Sequence, residues 1–128
     1  SCIGFTKKLW DKFGGFSENY FLYFEELDLI YRFHKKYNIF PKTKVISSIK
    51  LNHLQGGTMG TEKSATVDYW SCRSRIIFLK IHFVWYLPIG LLYNFFKILR
   101  RLINFEMINI KSLILGSLSG MKFNYKKK

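Results

Sequence analysis

From Glu25 to Lys36 the sequence fits one regular conformation well, an amphipathic helix. Leu27, Ile30, Tyr31 and His34 recur at i, i+3, i+4 and i+7, the spacing that places side chains on one helical face. Glu25, Glu26 and Asp28 occupy the first turn and Lys35-Lys36 the last, where the helix macrodipole favours each sign. Asp28 stands four residues before Arg32, a pair that adds roughly 0.2–0.5 kcal/mol. Three of the chain's eight acidic residues thus fall within four positions. Carboxylates this close repel one another. The unpaired N–H groups of a helix start offset that cost, and so would a proton-accepting role beside a metal or a sugar hydroxyl.

The flanking pattern predicts further helices and one strand. A short helix opens at Thr6, carries Trp10 and Phe13 on its apolar face, and stops at Gly14-Gly15. Residues 16–23 form a loop dense in aromatics, and Asn38 and Pro41 end the amphipathic helix. Residues 44–52 alternate as a strand does, placing Val45, Ser47, Ile49, Leu51 and His53 on one face. A Gln55-Gly56-Gly57-Thr58 loop follows. Ser64 or Thr66 can cap a long helix reaching about His82. Pro88 restarts the chain for a helix over 89–103, and another covers 109–119 with Gly120 as its stop. His34 and His82 have no supporting neighbours in sequence and read as surface or packing residues.

Charge divides the chain unevenly. Residues 1–68 carry ten Lys/Arg and seven Asp/Glu, whereas residues 69–128 carry eleven and one. The second half joins that positive charge to the most apolar runs, which points to anionic lipid and away from nucleic acid, for which no recognisable motif is present. Residues 83–99 sit at the short end of the spanning range, contain Pro88, Asn94 and Lys97, and run straight into Arg100-Arg101. They read as an interfacial segment: Lys80, Lys97, Arg100, Arg101 and Lys111 can snorkel while Trp85, Tyr86 and Tyr93 sit at headgroup depth. Cys2 and Cys72 are too few and too distant for a metal knuckle or a disulfide framework, which makes a reduced setting the default. The first residues, Ser1 to Phe5, are already apolar and read as a chain entered in its middle.

The ordered set Phe13-Gly14-Gly15-Phe16, Tyr20-Phe21-Leu22-Tyr23-Phe24-Glu25-Glu26-Leu27-Asp28-Leu29, Tyr31-Arg32, His53 and Gly56-Gly57-Thr58 resembles family-2 glycosyltransferases. The likeness is to the C-terminal part of the bacterial rhamnosyltransferase-like branch, with its GGFDE.FFLYFED.DL..R segment, a following strand and an H..GG.S motif. Tyr69-Trp70-Ser71-Cys72-Arg73 looks like that branch's YY..RN, and the run from Phe78 to Pro88 looks like its FLKKHFPWYLP. Glu26 stands where the family usually has Asp, and Ser74 where it has Asn. No Asp-x-Asp occurs in the sequence.

The resemblance implies an α/β fold, the C-terminal part of a GT-A type domain, followed by amphipathic membrane-interface helices. It divides the chain into an acceptor-side part, 1–68, and a basic aromatic helical tail, 69–128. It implies an inverting transferase that moves a sugar from a nucleotide-diphosphate donor to a hydroxyl of a lipid-linked or polysaccharide acceptor, at the cytoplasmic face of the plasma membrane. Glu26 becomes the general base, with Glu25 and Asp28 beside it. His53 becomes a ligand of a divalent metal, manganese or magnesium, shared with an N-terminal half that this sequence lacks. Gly56 and Gly57 let the backbone approach the diphosphate, and Arg73 either contacts it or makes a helix-face ion pair. Phe21, Tyr23 and Phe24 either stack on a sugar or pack in a core. The alternative is a catalytically inactive remnant or a module that only binds membrane surfaces.

Overall fold

A computed structural model describes residues 3–42, 44, 46, 48 and 64–125, and every regular element among them is helical. In order these are α1 (Lys7–Phe13), α2 (Glu25–Tyr37), α3 (Ala65–His82), α4 (Leu87–Ile103) and α5 (Met107–Lys122), with a 3-10 turn, Val84–Tyr86, between α3 and α4. The expected α/β architecture is therefore corrected to an all-helical one, with no strand among the described residues. A strand must pair with another to satisfy its main-chain groups, and 44–52 is the single alternating stretch in a chain otherwise patterned at helical spacing. Of that stretch, Lys44, Ile46 and Ser48 are described, exposed and in no strand; its other residues lie outside the described ones.

The helix ends follow local chemistry. The Thr6 hydroxyl accepts from the Leu9 N–H at 3.3 Å to start α1, and Gly14 ends it in the left-handed region at φ 74°. Ser64 caps α3 in the same way, accepting from the Val67 N–H at 3.2 Å. Pro88 lies in the first turn of α4, where no partner is needed for its missing N–H. The residue preceding α2 is Phe24, which offers no side-chain cap, so Glu25, Glu26 and Asp28 supply the negative charge that this helix start favours. Tyr23 and Phe24 are both left-handed, at φ 67° and 69°, which costs a non-glycine residue roughly 1–2 kcal/mol. Phe24 offsets part of this by packing on Phe78 with ring centroids 5.2 Å apart.

The long central helix, α3, carries neighbours on two sides. On one side α5 lies almost backbone to backbone against it. A Cβ at Gly116 would stand 2.3 Å from the Tyr69 carbonyl oxygen, and one at Gly120 would stand 2.9 Å from that of Arg73. Gly120 is thus a contact residue within α5, which continues to Lys122 instead of stopping there. On the other side, Ile77 and Phe78 bury themselves with Tyr20 against Phe24, Tyr31 and Phe83.

Buried polar groups tie the last three helices together. Asp68 of α3, fully buried, takes Lys97 at 2.8 Å and Arg101 at 3.0 Å from α4, and Asn109 at 2.9 Å from α5. Removing that carboxylate would take from Lys97 its carboxylate partner and leave Arg101 with Glu106 alone, at a cost of about 3 kcal/mol. Asn94 of α4 accepts from Arg75 of α3 and donates to Ser117 of α5 at 3.0 Å. Lys97 and Arg101, expected to snorkel outward, turn inward instead, while Arg100 and Lys111 are exposed.

Candidate functional site

The three acids expected to act together are separated by burial. Asp28 turns into the protein and is 2% exposed, whereas Glu25 and Glu26 stay half-buried. The Asp28 carboxylate is held by three elements: Arg32 Nε lies 2.8 Å from Oδ2, His82 Nε2 2.7 Å from Oδ1, and the Tyr20 hydroxyl 3.4 Å from Oδ1. Arg32 also donates to the carbonyls of Phe13 at 3.0 Å and Gly15 at 2.6 Å. The end of α1, the aromatic loop, α2 and α3 therefore meet at one ion pair.

This cluster changes which face of α2 is buried. The apolar spacing places Leu27 inside, yet Leu27 is 44% exposed while Asp28 and Leu29 are buried. A charge-paired carboxylate displaces the hydrophobic stripe because Arg32 one turn on, His82 of α3 and Tyr20 of the preceding loop all donate to it. Burial pushes the Asp28 carboxyl up, but hydrogen bonds from His82 and Arg32 and the Arg32 charge outweigh this and hold it below the usual carboxylate range. Burial and the adjacent Asp28 charge push the Tyr20 phenol far above its ordinary value. With both oxygens engaged, Asp28 ties α2 to α3 and the aromatic loop.

His82 is the partner that sequence reasoning missed. Its ring lies among Tyr31, Phe78 and Phe83 with centroids 5.8, 4.9 and 6.4 Å away, and its Nδ1 has no hydrogen-bond partner. The available signal was its position in the last turn of α3, where the macrodipole favours a cation. Nothing in the sequence couples it to a carboxylate 54 positions earlier. Glu25 carries a second such orphan: its Oε2 is enclosed without a partner.

Arg73 is committed to the fold. It donates to the Asn19 carbonyl at 2.9 Å and to the Ser119 hydroxyl at 3.3 Å, and its guanidinium lies 5.4 Å from the Trp70 ring centroid. It lines an open groove of about 520 Å³ between α3 and α5 with Tyr69, Leu118 and Lys122. The adjacent Ser74 donates to the Leu22 carbonyl at 2.7 Å. Arg73 and Ser74 thus both fix the loop that leads into the acids. His53, Gly56 and Gly57 lie outside the described residues.

Among the described residues no three His, Cys, Asp or Glu side chains converge, and Asp28 and His82 pair with each other, with Arg32 alongside. Comparisons with protein-family models, curated proteins and solved structures return no match.

Proposed function

We propose that the chain is the acceptor-side part of an inverting glycosyltransferase working at a membrane surface, with Glu26 as the base. The reading is carried by the division of roles within the first turn of α2. Asp28 anchors the turn into the protein through His82, Arg32 and Tyr20, which leaves Glu25 and Glu26 half-buried on a fixed backbone. A general base must be held within about 3 Å of the proton it removes, and a pinned helix start provides that constraint. In the proposed step the acceptor oxygen bonds to the anomeric carbon from the face opposite the leaving group. Its proton passes to the Glu26 carboxylate, and the nucleotide diphosphate departs with the bonding electrons. Arg73 acts by holding the loop at Asn19. Donor binding is assigned to a separate nucleotide-binding half, since the sequence holds no Asp-x-Asp.

The apolar outer faces of α4 and α5 support a peripheral placement at the cytoplasmic face of the plasma membrane, beside a lipid-linked acceptor. Among the described residues no helix is long and apolar enough to cross a membrane. The same faces favour a second reading, a catalytically inactive module that binds lipid surfaces.

Glu26→Gln in the polypeptide joined to its donor-binding half tests the assignment. Transfer from a radiolabelled nucleotide sugar should fall at least about a hundredfold with thermal stability unchanged. Near-normal transfer would remove Glu26 as the base. No transfer by the unmutated joined protein, with vesicle binding intact, would select the second reading.

A further inference from the structure

Two apolar projections flank α4, and the fold uses neither. At its start the 3-10 turn leaves Trp85 90% exposed. At its end the turn into α5 leaves Phe105 86% and Ile108 75% exposed. Between the two turns Ile89, Leu92, Tyr93 and Phe96 recur at i, i+3, i+4 and i+7, and all four are exposed. Phe105 also sits at φ 57°, a conformation that glycine adopts without strain. A strained aromatic side chain directed to solvent contributes nothing to the interior, and such strain is a mark of function.

Charge narrows the choice of partner. Arg100 and Lys111, both exposed, lie either side of the second turn, in a half of the chain with one acidic residue. That acid, Glu106, is already paired with Arg101. A second copy of this face would bring like charges together. Anionic lipid supplies acyl chains for the apolar side chains and negative charge for the basic ones. The length of α4, 17 residues or about 25 Å, falls short of a hydrocarbon core of roughly 30 Å.

We propose that α4 lies in the plane of an anionic bilayer and is anchored at both ends, with Trp85 and Phe105 as the insertion points. This rests on the membrane-surface part of the function proposed above and assigns the residues and orientation that deliver it. Trp85 and Tyr93 then sit at headgroup depth, and Phe105 reaches the acyl boundary.

Flotation with phosphatidylcholine vesicles, with and without phosphatidylserine, tests the proposal on the full chain. Phe105→Gly and Trp85→Ser should each weaken binding to the anionic vesicles by about tenfold, while Ile39→Ser, an equally apolar surface change outside the tail, should not. Phe105→Gly should also raise the thermal midpoint by relieving the left-handed strain, so its loss of binding cannot come from unfolding. In a chain carrying Trp10→Phe and Trp70→Phe, acyl chains brominated near the headgroup should quench the remaining fluorescence, that of Trp85, in the bound protein. If the unmutated chain floats and both variants float equally well, two-ended anchoring is overturned and the membrane reading survives. If the unmutated chain floats with neither vesicle, both fall. If sedimentation shows a dimer that Phe105→Gly abolishes, with no flotation, the face belongs to a second copy.

Discussion

Replacing Gly116 by alanine measures how closely α5 rests on α3. The added Cβ would stand 2.3 Å from the Tyr69 carbonyl oxygen, where ordinary van der Waals contact begins at 3.4 Å, so α5 must retreat by about 1 Å. The obstructing atom is main chain, and no rotamer change relieves it. Overpacking of this kind costs about 3 kcal/mol, against about 1 kcal/mol recovered from the better helix propensity of alanine. The net loss of about 2 kcal/mol should lower the thermal midpoint, followed by circular dichroism at 222 nm, by roughly 8 °C in a chain of this size. Gly90 supplies the internal comparison. A Cβ there would stand 2.2 Å from Leu79 Cδ1, the movable end of a flexible side chain, so Gly90→Ala should change stability by less than about 0.5 kcal/mol. Equal midpoints for Gly116→Ala and the unmutated chain would refute the backbone-to-backbone contact.

Two further outcomes follow from buried titratable groups. The Asp28 carboxyl is held below its unfolded value, so its contribution to stability is complete above about pH 4 and is lost as pH falls through the depressed native value. Asp28→Asn should cost about 2–3 kcal/mol at neutral pH and flatten the acid limb of a stability-versus-pH series; an unchanged acid limb would show that Asp28 is not the group being titrated. Burial raises the Cys72 thiol and removes it from solvent. In a Cys2→Ser chain it should therefore resist a thiol reagent at neutral pH until denaturant opens α3, and rapid labelling in native buffer would contradict that burial.

Helix positions were legible where the deciding interactions are local. The acids and lysines at the two ends of α2, Ser64 (one of the two caps the sequence offered for α3) and Pro88, within one turn of its expected place at the start of α4, act on their own main chain. What was not legible depends on partners far along the chain. Periodicity counts apolar residues, but the inward positions include Asp28, Asp68, Asn94 and Arg101, whose burial is set by partners on other elements, many positions away along the chain. Asp68 entered the sequence reading only as a unit of charge, and His82 only as a surface or packing residue. Gly120 shows the same ambiguity within one residue: lack of a side chain suits a helix stop and a close helix contact equally, and here the contact prevails. The α/β expectation came with the family likeness, and the described chain offers no paired strands to support it.

Beside the ring contacts of Tyr20 and Phe24, the stretch leading into Glu25 is gripped by its main-chain carbonyl oxygens: Arg32 reaches Phe13 and Gly15, Arg73 reaches Asn19, and Ser74 reaches Leu22. A grip of that sort is indifferent to which residue it carries. Phe21, 61% exposed with its ring against Trp70, could be exchanged for other types at the loss of that one contact, its peptide path preserved. Evolution or a designer could retune what the site touches by swapping such outward residues one at a time, leaving the chassis in register.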